Sequence, residues 1–334
     1  MTNGDLKGRV KLIANPGSGD ALEASTRLEQ VTRFLLDLGV NVDVALAHPV
    51  KEAVPIAKKA VKKGYSTVIA MGGDGTVSAV VRGLVGSDVH MGIIPAGTEN
   101  DIAANLGIPD DLKQACELIA SDHIRELDLG QISTKENKKF VFFMVTTIGL
   151  TTELYPHIKD VPHGDLSNIK DAFLTLLHAK PDPKIYLTLD DESKIEVESM
   201  LVTITNMPLI GAKNLVAPDA STEDGLLDIA VYPGFSKAEL IAYFARTANQ
   251  TEAPDGKIQR YRARKIKIRT EPKLSIAAEG IVLGEGTAKI KVLPRSLKVI
   301  APEPGAGAEK PRSETQQDLP EPVSMSVGAE PEMQ

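Results

Sequence analysis

Three short stretches hold the residues best suited to chemistry in this 334-residue chain. Gly72-Gly73-Asp74-Gly75-Thr76 follows an apolar run, Thr67–Met71, and opens a helical pattern, Val77–Val85. Glycines let backbone N–H groups approach phosphate oxygens, and a helix N-terminus favours an anion. Thr76 suits a helix cap or a phosphate hydrogen bond. Asp74 has the same sign as a phosphate, so it belongs there with Mg²⁺ between them, or as a tether for the loop. Asn15-Pro16-Gly17-Ser18-Gly19 is a second polar turn, after Val10–Ala14. Pro95-Ala96-Gly97-Thr98-Glu99-Asn100-Asp101 is a third, after Met91–Ile94. Each alone reads equally as a plain turn with a capping residue. Together, on one sheet edge, they would converge on one anionic ligand. The GxxxxGK[ST] loop of P-loop nucleotide sites is missing.

The elements around them set that edge. Over residues 9–125, strand-like runs alternate with helical periods: Ala21–Leu38, Val40–Leu46, Val50–Val61 and the runs above, then a helical pattern to Leu106. Such alternation predicts a parallel sheet with helices on both faces. Its ligands bind beyond the carboxyl ends of the strands, where all three turns fall. From Glu126 to about residue 302 the runs are mostly extended, interrupted by helical stretches at Asp165–His178 and Lys237–Ala248. This predicts a second, mostly antiparallel β-sandwich or barrel-like domain. Residues 303–334 hold five prolines, seven acidic and two basic residues, with no apolar period. They are read as a disordered acidic tail.

Composition narrows the function classes. Of the net charge of −7, −5 sits in the tail, leaving −2 on the body. A nearly neutral body argues against nucleic acid as partner. No uncharged apolar stretch reaches roughly 18 residues, and the N-terminus shows no signal-peptide pattern. The one cysteine, Cys116, cannot form an internal disulfide. These features predict a cytoplasmic protein.

Together, the motifs resemble the bacterial diacylglycerol kinase and sphingosine kinase-like lipid kinase family over about residues 9–302. Further signposts are Leu127-Asp128-Leu129-Gly130, Ala217-Pro218-Asp219-Ala220 leading to Asp224-Gly225-Leu226-Leu227-Asp228, and Glu279-Gly280-Ile281 in place of an Asp-Gly-Glu. The resemblance implies ATP- and Mg²⁺-dependent phosphorylation of a lipid hydroxyl, with ATP between the two domains. It places nucleotide contacts at Asn15, Gly72, Gly73, Asp74, Gly75, Thr76, Gly97, Thr98 and Asn100. It places a structural Mg²⁺ at Asp224 with the backbones of Ser221 and Leu226. Without the family, Asp224-Gly225 reads as a hairpin turn.

The chain departs from the family pattern at Ser78 and Ala79, where Asn-Glu is usual, and at Ile281, which stands where the general-base Glu belongs. On a strand, Glu279 would share a face with Ile281. Glu279 is therefore expected to carry the remaining base work, beside Asp74 at the phosphates. Two alternatives stand beside the lipid kinase: a catalytically impaired nucleotide- or lipid-binding relative, and a related kinase with a soluble acceptor. The basic run Arg260–Arg269 reads as a solvated sheet face or as a peripheral contact with anionic membrane at the inner face. The helical stretch Asp165–His178 reads as core packing or lipid capture.

Overall fold

The computed structural model describes residues 8–17, 21–150, 183–211, 213–247 and 256–304. The helical pattern of Asp165–His178 and the tail beyond residue 304 lie outside them. The first half runs β1 (Val10–Ala14), α1 (Ala21–Asp37), β2 (Val42–Leu46), α2 (Ala53–Lys62), β3 (Thr67–Gly72), α3 (Asp74–Leu84), β4 (His90–Pro95), α4 (Asp101–Leu106) and α5 (Leu112–Ser121). The strands pair in parallel in the order β2-β1-β3-β4. Alternate side chains of a strand point to opposite faces, and the two faces are covered differently. Ile13, Val68, Ala70, Met91 and Ile93 pack with α2 and α3 through Ala57, Val80 and Leu84. Leu12, Ile69, Met71 and Ile94 pack with α1 and α5 through Val31, Leu35, Cys116 and Ile119. α5 was not foreseen; it is capped by Asp111, whose side chain accepts from Gln114 N at 2.9 Å.

The second half is β-rich, as expected. It comprises β5 (Ile124–Ser133), β6 (Phe140–Phe142), β7 (Val145–Gly149), β8 (Lys184–Leu189), β9 (Ser193–Thr205), β10 (Leu209–Ile210), β11 (Asn214–Leu215) and β12 (Leu227–Pro233). α6 (Lys237–Thr247), β13 (Gln259–Ala263), β14 (Lys265–Glu271), β15 (Ser275–Ala278), β16 (Ile281–Glu285) and β17 (Thr287–Ile300) follow. β9 pairs with β8 through its first half and with β7 and β12 through its second, so it crosses between two layers. Ile185, Leu187, Val202, Ile204, Ile229, Ile266, Ile276 and Ile290 fill the space between them. The two halves are joined by a strand: β17 pairs antiparallel with β14 and β5, then parallel with β4 at Lys298 and Val299.

The end of β17 is tied down just before the tail. His123 Nε2 lies 3.0 Å from Glu303 Oε1 and its Nδ1 2.7 Å from Ala301 O. Both contacts raise the imidazole pKa, the backbone carbonyl more than Glu303. Stability from this contact is therefore present below the ordinary histidine pKa and lost as pH rises through the folded value. Cutting after Pro304 is expected to leave melting temperature and activity unchanged. Glu303→Gln should lower the His123 pKa, as read by NMR titration; an unmoved titration would show that the Glu303 charge contributes nothing.

Candidate functional site

The three predicted loops leave the carboxyl ends of adjacent strands β1, β3 and β4, as the parallel order requires. They are stitched together by backbone. Asn15 N donates to Met71 O (3.1 Å) and Ala96 N to Gly72 O (3.1 Å). Asn15 turns its own loop by accepting from Gly17 N at 3.0 Å. Asn100, at φ 54°, closes the third loop by accepting from Gly97 N (2.9 Å) and donating to Gly97 O (3.2 Å). Gly73 and Gly97 meet backbone to backbone; a Cβ on Gly73 would lie 3.1 Å from Gly97 Cα. Gly75, by contrast, faces open space. The cap of α3 is Gly73, and Thr76 is buried against Gly72 rather than capping the helix. A pocket of about 60 Å³ opens beside the loops, lined by Asn15, Pro16, Arg27, Leu28, Leu46 and Ala96 among others.

Asp74 proves to be a tether. Its Oδ2 accepts from Asp101 N (3.1 Å) and its Oδ1 from Ile102 N (2.8 Å), fixing the start of α4 to the glycine loop. The same folding brings Asp74, Glu99 and Asp101 together, with carboxylate oxygens within 4.8 Å of one another. Three carboxylates are a fitting donor set for Mg²⁺, which takes oxygen ligands and shares them with phosphates. Neither Glu99 nor Asp101 was singled out from sequence; their place in the Gly-Thr-x-Asn-Asp segment was the available signal.

α4 also reaches the second half of the chain. Buried Asp101 accepts from Lys213 N at 2.8 Å. Asn105 Nδ2 donates to Leu209 O (2.7 Å) and its Oδ1 accepts from Leu209 N (2.9 Å). Nearby, buried Asp128 accepts from Gly225 N (2.6 Å) and Arg295 N (2.8 Å), which explains the Leu-Asp-Leu-Gly motif as a structural knot.

Glu279 is not where strand alternation placed it. It sits in the two-residue turn between β15 and β16, with φ 50° at Glu279 and 75° at Gly280. That is the pattern of a tight hairpin turn, which twists with its strands. The side chain therefore turns inward while Ile281 is 45% exposed. Glu279 Oε1 accepts from Phe143 N (2.7 Å) and Met144 N (3.3 Å), and Oε2 pairs with Arg82 at 3.0 Å. Burial pushes its pKa up, while those N–H groups, the Arg82 guanidinium and the Ser78 hydroxyl pull it back. With both oxygens engaged and the side chain only 6% exposed, base work by Glu279 would require its pair with Arg82 to open.

Ser221, Asp224 and Leu226 lie on one loop, but the carboxylate is taken. Asp224 Oδ1 accepts from Leu226 N (2.9 Å), Oδ2 pairs with Arg262, and Arg262 Nε reaches Asp228 Oδ1 at 3.2 Å. Here Arg262 neutralises the Asp224 carboxylate, and a Mg²⁺ held by Asp224 with the backbones of Ser221 and Leu226 would take that guanidinium's place. Burial pushes the Asp228 carboxyl up and Arg262 pulls it back. The basic run is likewise not one face. Arg260 and Arg262 lie on β13, Arg264 in the link to β14, and Arg260 donates to Val216 O (2.9 Å). The sequence pattern hid this because the strand break carries no glycine or proline.

The chain thus joins a parallel sheet, with glycine loops and an acidic trio at its carboxyl edge, to a β-rich second half. Residues 9–132 match the diacylglycerol kinase catalytic domain, and residues 167–301 the YegS C-terminal NAD kinase beta sandwich-like domain. The chain belongs to the diacylglycerol kinase and YegS-like lipid kinase family. A diacylglycerol kinase of Mycobacterium tuberculosis (strain ATCC 25618 / H37Rv) is 28% identical over 312 residues, covering 91% of this chain and 100% of the relative. One of Bacillus subtilis (strain 168) is 28% identical over 307 residues, covering 88% and 97%. The crystal structure of a diacylglycerol kinase from Bacillus anthracis str. Sterne shares the fold, with TM-score 0.67 at 21% identity over 89% of this chain and 98% of that one. No described helix is long and apolar enough to cross a membrane.

Proposed function

We propose that the protein transfers the γ-phosphoryl group of ATP to the hydroxyl of a lipid such as diacylglycerol, in the presence of Mg²⁺. The observation that carries this reading is the convergence of the loops after β3 and β4 on the trio Asp74, Glu99 and Asp101, with the Asn15 loop held beside them at Met71. Gly72, Gly73 and Gly75 present backbone to the phosphates, with Thr98 and the Asn100-closed loop beside them. Asn15 and the pocket next to it take the nucleoside side. Asp74, Glu99 and Asp101 would hold Mg²⁺, which neutralises phosphate charge when bound. The chain's own contribution is positioning and charge placement, which dominate phosphoryl transfer. A loose transition state needs little base assistance, so turnover without a carboxylate at Ile281 is expected to be slow. The impaired-relative reading is favoured by that same isoleucine and by the fully engaged Glu279. An ATP-consumption screen over diacylglycerol, monoacylglycerol, ceramide, sphingosine, phosphatidylglycerol and soluble alcohols separates the readings.

Contact with an anionic membrane is supported by the second half of the basic run together with β17. The alternation of β14 and β17 exposes Lys265 opposite Lys291 and Lys267 opposite Lys289. Like charges directly opposite repel, and Asp191 offsets only Lys265 and Lys267, at 3.9 and 2.6 Å. Attraction to a charged surface is on the order of 1 kcal/mol per basic residue. The double change Lys289→Glu/Lys291→Glu is expected to lower cosedimentation with anionic vesicles. Equal sedimentation of the parent protein with neutral and anionic vesicles would reject the contact.

A further inference from the structure

We propose that Arg82 and Glu279 form a positioning pair that sets the β15–β16 hairpin against the phosphate-loop helix, so that Ile281, rather than a carboxylate, faces the acceptor. This inference rests on the lipid-kinase reading. Asp74, Ser78 and Arg82 follow one another at four-residue spacing along one strip of α3. At 1.5 Å rise per residue, Arg82 lies about 12 Å along the axis from Asp74, and Ser78 about 6 Å. Glu279 docks on that strip through Arg82, at 3.0 Å. The hairpin is thereby fixed about two helical turns from Asp74 of the acidic trio.

Three segments far apart in sequence meet at this pair. Arg82 comes from α3, Glu279 from the hairpin turn, and the amides of Phe143 and Met144 from the link between β6 and β7. The Arg82 guanidinium also lies over the Phe140 ring, 4.9 Å from its centroid. The two side chains are only 18% and 6% exposed. A buried ion pair contributes little net stability compared with apolar replacements, and fixing register is its best-attested use. The turn itself points the same way. Glycine, Asn and Asp are the favoured residues at positive φ in such turns, yet a longer glutamate stands here and reaches Arg82. Ile281 pairs directly across the turn with Ala278, so any shift of Glu279 moves Ile281 with it. Misplacement by about 1 Å can cost 10²-fold in rate.

The test compares the parent protein with Arg82→Met, Glu279→Gln and the double variant. Each single change leaves one buried charge unpaired, and a drop in melting temperature of about 10 °C is expected. The double variant is neutral and should recover much of that loss. Turnover with dispersed diacylglycerol is expected to fall about 10–100-fold in all three variants. Nucleotide affinity by calorimetry should stay within about threefold. Turnover that recovers in step with melting temperature would make the pair merely structural and overturn the proposal. Nucleotide affinity falling as far as turnover would overturn it too, by placing the effect on the phosphate loop. Should the parent protein phosphorylate no lipid, amide exchange at Phe143 and Met144 decides. Faster exchange in the double variant at recovered melting temperature supports the pair as a positioning device, and unchanged exchange overturns it.

Discussion

Gly97→Ala is expected to abolish measurable nucleotide binding and to lower the melting temperature by about 5–10 °C. The reason is local and steric. A Cβ at residue 97 runs into the backbone of Gly73, and Asn100 Oδ1 stands 3.0 Å away on the other side. The closest atoms are backbone, and Asn100 is held by its own hydrogen bonds to Gly97, so one of the two loops must move. Both loops are anchored on adjacent strands, and Ala96 N is held by Gly72 O. The same hydrogen bonds that set the loops therefore resist their separation. Gly75→Ala is the matched control. Nothing lies within 4 Å of a Cβ there, and the residue is inside α3, where alanine is favoured over glycine by roughly 0.8–1 kcal/mol. Its melting temperature should rise slightly, while nucleotide affinity falls about tenfold or more because the added methyl stands where phosphate approaches the backbone. Differential scanning calorimetry and nucleotide titration read both variants. Unchanged nucleotide affinity in Gly97→Ala would remove the glycine loops from the site.

The second large effect is expected at Asp74→Ala. The loss of two hydrogen bonds to the start of α4 resembles the removal of a helix cap, about 1–2 kcal/mol, so the protein stays folded. Nucleotide affinity with Mg²⁺ should fall at least about 100-fold, because the change both frees α4 and removes one of three carboxylates. The two roles separate by titration with and without the metal. A carboxylate that helps hold Mg²⁺ gives a larger loss with Mg²⁺ than in EDTA. Equal losses would reduce Asp74 to a tether, and unchanged affinity would remove it from the site.

Much of this arrangement was legible in the residues themselves. The strands β1, β3 and β4 are short apolar runs that give way to glycine-bearing turns, whereas β13 and β14 read as one extended run and β17 as two. The phosphate-facing loops follow from those strand ends. What was not legible depends on partners distant in sequence. Glu279 looked like a strand residue because glutamate seldom adopts positive φ; its inward turn is set by Arg82, 197 residues away. The pairing of Asp224 with Arg262 was not legible either, because it depends on β12 and β13 setting Arg262 directly opposite Asp228. The split of the basic run has the same origin, since β13 and β14 are recruited by different neighbours. α5 was missed because its fully buried positions, Ala115, Cys116 and Ile119, span little more than one turn.

The most direct test is phosphoryl transfer itself. The full chain is incubated with γ-labelled ATP and Mg²⁺ over mixed micelles of diacylglycerol, and the lipid fraction is examined for labelled phosphatidic acid. Labelled product that depends on Mg²⁺, forms slowly, and disappears in Asp74→Ala and Gly97→Ala is the predicted result. Nucleotide binding with no label in any lipid of the screen would contradict the kinase and leave a nucleotide-binding relative in its place.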